Sequence, residues 1–168
     1  MFDQISQDGD DMIEPAEIYN ELRSQLLSTN PNEVGIQQSP DIPNVWGVLL
    51  EFQISNTPVT LVSLADGTTS LYFGNGGGVF GGGEHEEVAQ ASKKLVALAE
   101  DFYDKMTPTA EFPIPMAGRM IFYVLTFDKS YTINVDEEEL TSGKHDFSPL
   151  FALADEVISQ IRVHTPKE

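Results

Sequence analysis

Apolar positions along this chain alternate between two periods, and the switches between them divide it into elements. Between Glu14-Pro15 and Ser28, the residues Ile18, Leu22 and Leu26 recur every four positions, a spacing that lines one face of a helix. Pro15 suits the first helical position, where its missing N–H costs nothing. Glu14 and Glu17 suit the positive end of the helix dipole. Residues 29–45 carry three prolines and no period, which predicts a connection. From Trp46 to Ser55 the period drops to two. Trp46, Val48, Leu50, Phe52 and Ile54 alternate, predicting a strand with those side chains on one face.

Asn56-Thr57-Pro58 turns the chain into a second strand, Val59–Ala65, and Asp66-Gly67 turns it again into a third, Thr68–Phe73. Asp-Gly between alternating residues is a strong hairpin signal, because both residues tolerate positive φ. A two-residue loop there sets Leu64 opposite Thr69, Val62 opposite Leu71 and Ser63 opposite Ser70. Glu84–Met106 has helical spacing at Val88, Ala91, Leu95, Leu98, Ala99, Phe102 and Met106. The segment 107–118 holds three prolines and is expected to be irregular; its length makes it a candidate functional loop.

Arg119–Phe127 is apolar on both alternations, the mark of a central strand covered on both faces. Ser130–Val135 returns as its hairpin partner. The charge run Asp136–Glu139 is expected to be a solvated loop. Phe147, Leu150, Phe151, Ala154, Val157, Ile158 and Ile161 predict a last amphipathic helix, with Ser148-Pro149 as cap and first residue. The order is α-βββ-α-ββ-α: an α+β fold with a five-stranded, mostly antiparallel sheet and helices on both faces. The layering resembles that of profilin-like and roadblock-like domains. Residues 1–45 form an acidic N-terminal arm with one helix, docked on or loosely attached to an α+β domain over 46–168.

Charge narrows the partners. The chain has 168 residues, 27 Asp and Glu against 9 Lys and Arg, a net charge of −18 and no cysteine. Such a field repels nucleic-acid phosphates and anionic lipid and attracts basic surfaces. No apolar run approaches the roughly 18–20 residues of a membrane span, and the acidic N-terminus lacks the positive start of a secretory signal. Without cysteine there is no disulfide, thiolate nucleophile or Cys-ligated zinc. A cytoplasmic location is expected.

The stretch GNGGGVFGGGEH, residues 74–85, lies between strand and helix patterns. Gly76, Gly78 and Gly81 match G-x-G-x-x-G, with Asp101 twenty residues beyond. The preceding strand belongs to a hairpin rather than a βαβ unit, and Glu84, Glu86 and Glu87 crowd the helix start, which is unfavourable for phosphate. The leading expectation is a tight strand-to-helix corner with Val79-Phe80 tucked into the core. Gly76, Gly77, Gly78, Phe80, Gly81 and His85 remain the candidates for contact with a ligand or partner. Together with Trp46-Gly47-Val48-Leu49-Leu50 and Asp66-Gly67-Thr68-Thr69-Ser70-Leu71-Tyr72-Phe73, the block resembles a small uncharacterised bacterial family over roughly residues 46–105. The resemblance implies a bacterial cytosolic protein. The family has no established activity, so it transfers no catalytic residue.

Catalytic patterns are missing elsewhere in the sequence. His85, His145 and His164 form no H-E-x-x-H or i, i+4 pair, so no metal or cofactor is expected. No G-x-S-x-G occurs, and Gly9 does not fit the sixth position of an EF-hand loop with a Glu six residues later. Two functions are carried forward. The first is a non-catalytic acidic interaction or regulatory protein, immunity-like in one form, that binds a basic protein partner. The second is a small-molecule-binding protein or enzyme using loop 74–83 and His85. A homodimer through an unpaired edge such as Ser130–Val135 is compatible with either.

Overall fold

The structure, a computed structural model, describes residues 16–79 and 81–165. The acidic tip, the helix start at Glu14-Pro15 and Phe80 lie outside the described residues. The strands are β1 (Val45–Ile54), β2 (Thr57–Leu64), β3 (Thr69–Phe73), β4 (Gly78–Val79), β5 (Thr107–Thr109), β6 (Arg119–Thr126) and β7 (Ser130–Asp136). They form one sheet in the order β4-β3-β2-β1-β6-β7-β5, and each neighbouring pair is antiparallel. The helices are α1 (Glu17–Leu27), α2 (Glu86–Ala99), α3 (Glu137–Thr141) and α4 (Ser148–His164).

The α+β class and the antiparallel sheet follow the sequence pattern, but the sheet has seven strands rather than five. All five strands expected from the sequence are present. The two additional ones are too short to show a period: β4 has two residues inside the glycine run, and β5 is Thr107-Pro108-Thr109. The segment after Met106 was expected to be irregular because of its prolines. Pro108 is accommodated because β5 is the outermost strand, with no ladder beyond it to require its N–H. β5 pairs with Ser130, Tyr131 and Thr132, so the first part of β7 is not an open edge. Two very short edge strands, one carrying proline, are poor templates for further pairing.

The β2–β3 register is one residue from the expected one. Ser63 faces Thr69, Val62 faces Ser70 and Leu61 faces Leu71. The Leu64 amide donates to the Thr68 carbonyl at 2.9 Å, and the Gly67 amide to the Leu64 carbonyl at 2.9 Å. The loop is therefore three residues, Ala65-Asp66-Gly67, closed by a glycine at φ +96°, the type I turn plus bulge arrangement. A bulge between Val45 and Gly47 likewise turns Trp46 to the opposite face from Val48 and Leu50. Its indole Nε1 donates to the Thr126 carbonyl at 3.2 Å.

Each face of the sheet carries a core. Val48, Leu50, Leu61, Leu71, Phe122 and Val124 pack with α2 and α4. Leu49, Val62, Ile121 and Tyr123 pack with Tyr19 of α1, Ile36 and the proline-rich segment's Phe112 and Ile114. β6 is buried along nearly its whole length, as its double apolar pattern requires. In α1 the buried side chains are Tyr19 and Arg23, whereas Ile18 is 46% exposed. The buried stripe thus lies one residue on from the expected Ile18 and Leu22.

Three further boundaries differ. Regular α2 ends at Ala99, followed by a 3₁₀ turn at Tyr103–Lys105, although Met106 is buried as its spacing suggested. Asp101 therefore lies beyond the helix, in an exposed turn. The charge run is α3 rather than a loop. Asp136 caps it by accepting from the Glu139 amide at 3.0 Å, and Leu140 anchors it in the core. A single apolar contact leaves no period to detect. Finally, Phe147 rather than Ser148 occupies the cap of α4, and Ser148 Oγ donates to the Leu140 carbonyl at 2.8 Å instead.

Candidate functional site

The glycine-rich stretch is a folded corner whose first half uses its own amides. Gly74 N donates to Pro58 O at 2.7 Å, Gly76 N to Phe73 O at 2.9 Å, and Gly77 N to Asn75 Oδ1 at 2.9 Å. Phe73 N in turn donates to Gly77 O at 2.9 Å. Gly78 lies in β4 opposite Tyr72. Backbone approach explains two of the glycines. A Cβ on Gly74 would sit 2.6 Å from a ring carbon of Pro58, and one on Gly83 would overlap the Gly67 carbonyl. Gly76 and Gly81 adopt φ of +99° and +70°, where L side chains are strained. Amides at 74, 76 and 77 are thus already bonded within the corner.

Gly81 and His85 lie on the far side of this corner. There they line a small cavity of ≈200 Å³ with Glu84, Val88 and His164. His85 occupies the cap position of α2 without a side-chain capping bond. Its ring stacks on His164 in the last turn of α4, with centroids 4.6 Å apart, and His164 Nε2 is 3.4 Å from Glu87 Oε1. The structure therefore brings Gly81 and His85 together, and leaves Gly76 and Gly77 outside that cavity. Among the described residues no group of three or more His, Asp or Glu is arranged to hold a metal ion.

A larger apolar groove of ≈570 Å³ adjoins this cavity, sharing Val79, Ile161 and Thr165 with it. Its floor is the sheet. Phe52 pairs across to Val59 and Val59 to Phe73, and beside them lie Leu71 and Val79. Its wall is Phe151, Ile158 and Ile161 of α4. α4 buries Leu150, Ala154, Val157 and Ile161 in the core with the strands, and the groove opens beside that contact. Phe52, Phe73, Phe151 and Ile158 are left only partly buried. Glu137, Asp155 and Arg162 stand around it. The sequence contained these residues as core positions, and no signal in it separates a filled core face from an open one.

The opposite face carries a buried ionic cluster that the sequence did not announce. Arg23 donates from Nε to Glu51 Oε2 at 2.6 Å and from Nη2 to Glu51 Oε1 at 2.8 Å, a two-pronged pair. Nη2 also donates to the Phe112 carbonyl at 2.7 Å. Thr60 Oγ1 donates to Glu51 Oε2 at 2.8 Å, and Tyr19 OH lies 2.7 Å from Thr60 Oγ1. Tyr123 OH donates to the Pro113 carbonyl at 2.6 Å. Burial, then the Glu51 charge, pushes the Tyr19 hydroxyl up to about 12, and the same causes raise Tyr123. Burial alone would lower Arg23, but its hydrogen bond and charge contact with Glu51 more than reverse that and hold its pKa above the usual value. The cluster joins α1, β1, β2 and the proline-rich segment. Every group in it is engaged in holding another, so it acts as a clamp.

A third polar group is a chain of hydroxyls. Ser63 Oγ and Ser92 Oγ are 2.8 Å apart, and Thr69 Oγ1 is 2.5 Å from Ser92 Oγ. All three are fully buried, and Thr69 also donates to the Gly67 carbonyl at 2.9 Å. The one-residue register change is what places Thr69, rather than Ser70, beside Ser63. The trio seats α2 on the β2–β3 hairpin, and among the described residues no histidine or carboxylate bonds to it.

The chain matches no family model, no curated protein and no solved structure. Among the described residues no helix is long and apolar enough to cross a membrane.

Proposed function

We propose that this protein is a non-catalytic acidic interaction or regulatory protein of the cytoplasm that binds a basic protein partner, in the manner of an immunity protein that neutralises its target. One observation carries the reading: where the charge sits. Among the described residues Arg23 and Glu51 are the only charged side chains that are buried, and they neutralise each other. The other Asp and Glu side chains among the described residues are partly or fully exposed. Two of the exposed cations are also held close to acceptors: Arg119 bonds Asn134 at 2.9 Å, and Lys129 lies 3.8 Å from Asp128. Such a surface steers basic partners and repels phosphate backbones.

The test is capture of a partner from lysate, its purification, and association kinetics at low and high salt. The on-rate is expected to fall steeply as the Debye length shrinks from about 30 Å at 0.01 M to about 3 Å at 1 M. An on-rate indifferent to salt, or no partner at either salt, would count against it. The alternative reading, a small-molecule site at loop 74–83 and His85, draws its support from the ≈200 Å³ cavity beside His85. Saturable stabilisation by a nucleotide, sugar or metal, lost in His85→Ala, would favour it instead.

A further inference from the structure

We propose that the apolar groove between α4 and the ends of β1, β2 and β3 is where such a partner docks, taking an apolar anchor carried on a basic segment. This inference rests on the acidic-interaction reading and locates it on the surface. Shape and composition come first. The groove's ≈570 Å³ falls within the about 300–1,000 Å³ typical of sites that enclose a ligand. Phe52, Phe73, Phe151 and Ile158 present partly exposed apolar surface inside it, and Ile54 at its end is 51% exposed. Contiguous apolar surface rimmed by polar residues is the character of an interaction site, and large apolar side chains filling such pockets dominate interface energies.

Charge decides what kind of occupant fits. Glu137 and Asp155 line the groove. The one cation lining the groove, Arg162, lies in the last turn of α4, where a positive charge complements the helix dipole. An apolar chain ending in a carboxylate would meet these two carboxylates and the negative field of the whole molecule. A large apolar residue flanked by Lys or Arg would find apolar surface and carboxylates together.

The test uses two oligolysine peptides of equal length, one with a central Trp-Leu pair and one with Ser-Ser, titrated against the full chain at one salt concentration. The Trp-Leu peptide is expected to bind at least about tenfold more tightly. Phe151→Ser and Ile158→Ser should each erase that advantage while leaving Ser-Ser binding unchanged. Leu153→Ser, on the outer surface between α2 and α4, should preserve it. Hydrogen exchange on the unaltered protein gives a readout independent of variant folding: the Trp-Leu peptide alone should slow amides of β3 and α4. Equal, salt-sensitive binding of both peptides would overturn the groove proposal and leave the acidic-interaction reading standing. Failure of both peptides to bind would remove both. A Trp-Leu advantage that survives Phe151→Ser and Ile158→Ser would place the anchor elsewhere. Displacement of the Trp-Leu peptide by laurate, tighter than by dodecylamine, would overturn the proposal in favour of a pocket for anionic lipid.

Discussion

Arg23 and Glu51 show how much one pair of side chains organises here. Removing one partner of a buried ion pair leaves an uncompensated charge, so Glu51→Ala is expected to cost about 3–5 kcal/mol in urea unfolding. Replacing both, as Arg23→Met with Glu51→Leu, should cost less than either single change, because no charge is then stranded. The same cluster sets an alkaline limit. Burial and the Glu51 charge push the Tyr19 hydroxyl up to about 12 in the folded protein, from the 10.0 of an ordinary tyrosine that the unfolded chain has. Its contribution to stability is complete below the unfolded value and is lost as pH rises from there through the folded value. Between those two values the unfolding midpoint of the parent protein should fall, and Tyr19→Phe should flatten that fall; an equal slope in both proteins would contradict the assignment. Neither Arg23 nor Glu51 was identifiable in the sequence. A charge on an amphipathic helix and a charge in a strand look like solvent-facing positions until the two elements are placed together.

At the scale of elements, the glycine corner separates shape from ligand contact. Gly83 packs against the backbone at Gly67, whereas a Cβ on Gly77 would meet only side chains, Asn75 at 3.3 Å and Phe73 at 3.9 Å. Gly83→Ala is therefore expected to lose about 1–3 kcal/mol through overpacking, and Gly77→Ala to stay within about 0.5 kcal/mol of the parent. Thermal melts of the two variants check this; equal melting points would show that the corner is not held by that close approach. Asp136→Ala should cost about 1 kcal/mol by uncapping α3. The main strands and α2 and α4 were legible because each repeats its apolar period several times. The short β4, β5 and α3 were not, since two to five residues cannot establish a period. The hairpin register was missed by one residue because Asp-Gly serves both a two-residue loop and a three-residue loop with a bulge, and the choice between them rests on packing against Ser92 of α2.

For the whole molecule, charge is the dominant variable. Like carboxylates spread over the surface repel one another and destabilise the compact state. Raising salt from about 0.01 M to about 0.5 M should therefore raise the melting temperature, while weakening any basic partner. A melting temperature that falls over that range would show that attractive surface pairs outweigh the repulsion. The same screening is what separates the two contributions in the proposed docking mode: the part from the groove's carboxylates weakens with salt, and the part from the apolar floor does not.

Periodicity and composition by themselves determined the α+β class, the antiparallel meander and hairpin, the central place of Arg119–Phe127 and the negative field, because these depend on local spacing and on sums along the chain. Only the tertiary structure decided which face of each strand is closed. Phe52, Phe73, Phe151 and Ile158 have the spacing of core residues, yet the gap between α4 and the ends of β1, β2 and β3 leaves them half covered. How closely one element approaches another is set by side chains distant in sequence, and a one-dimensional pattern does not record it.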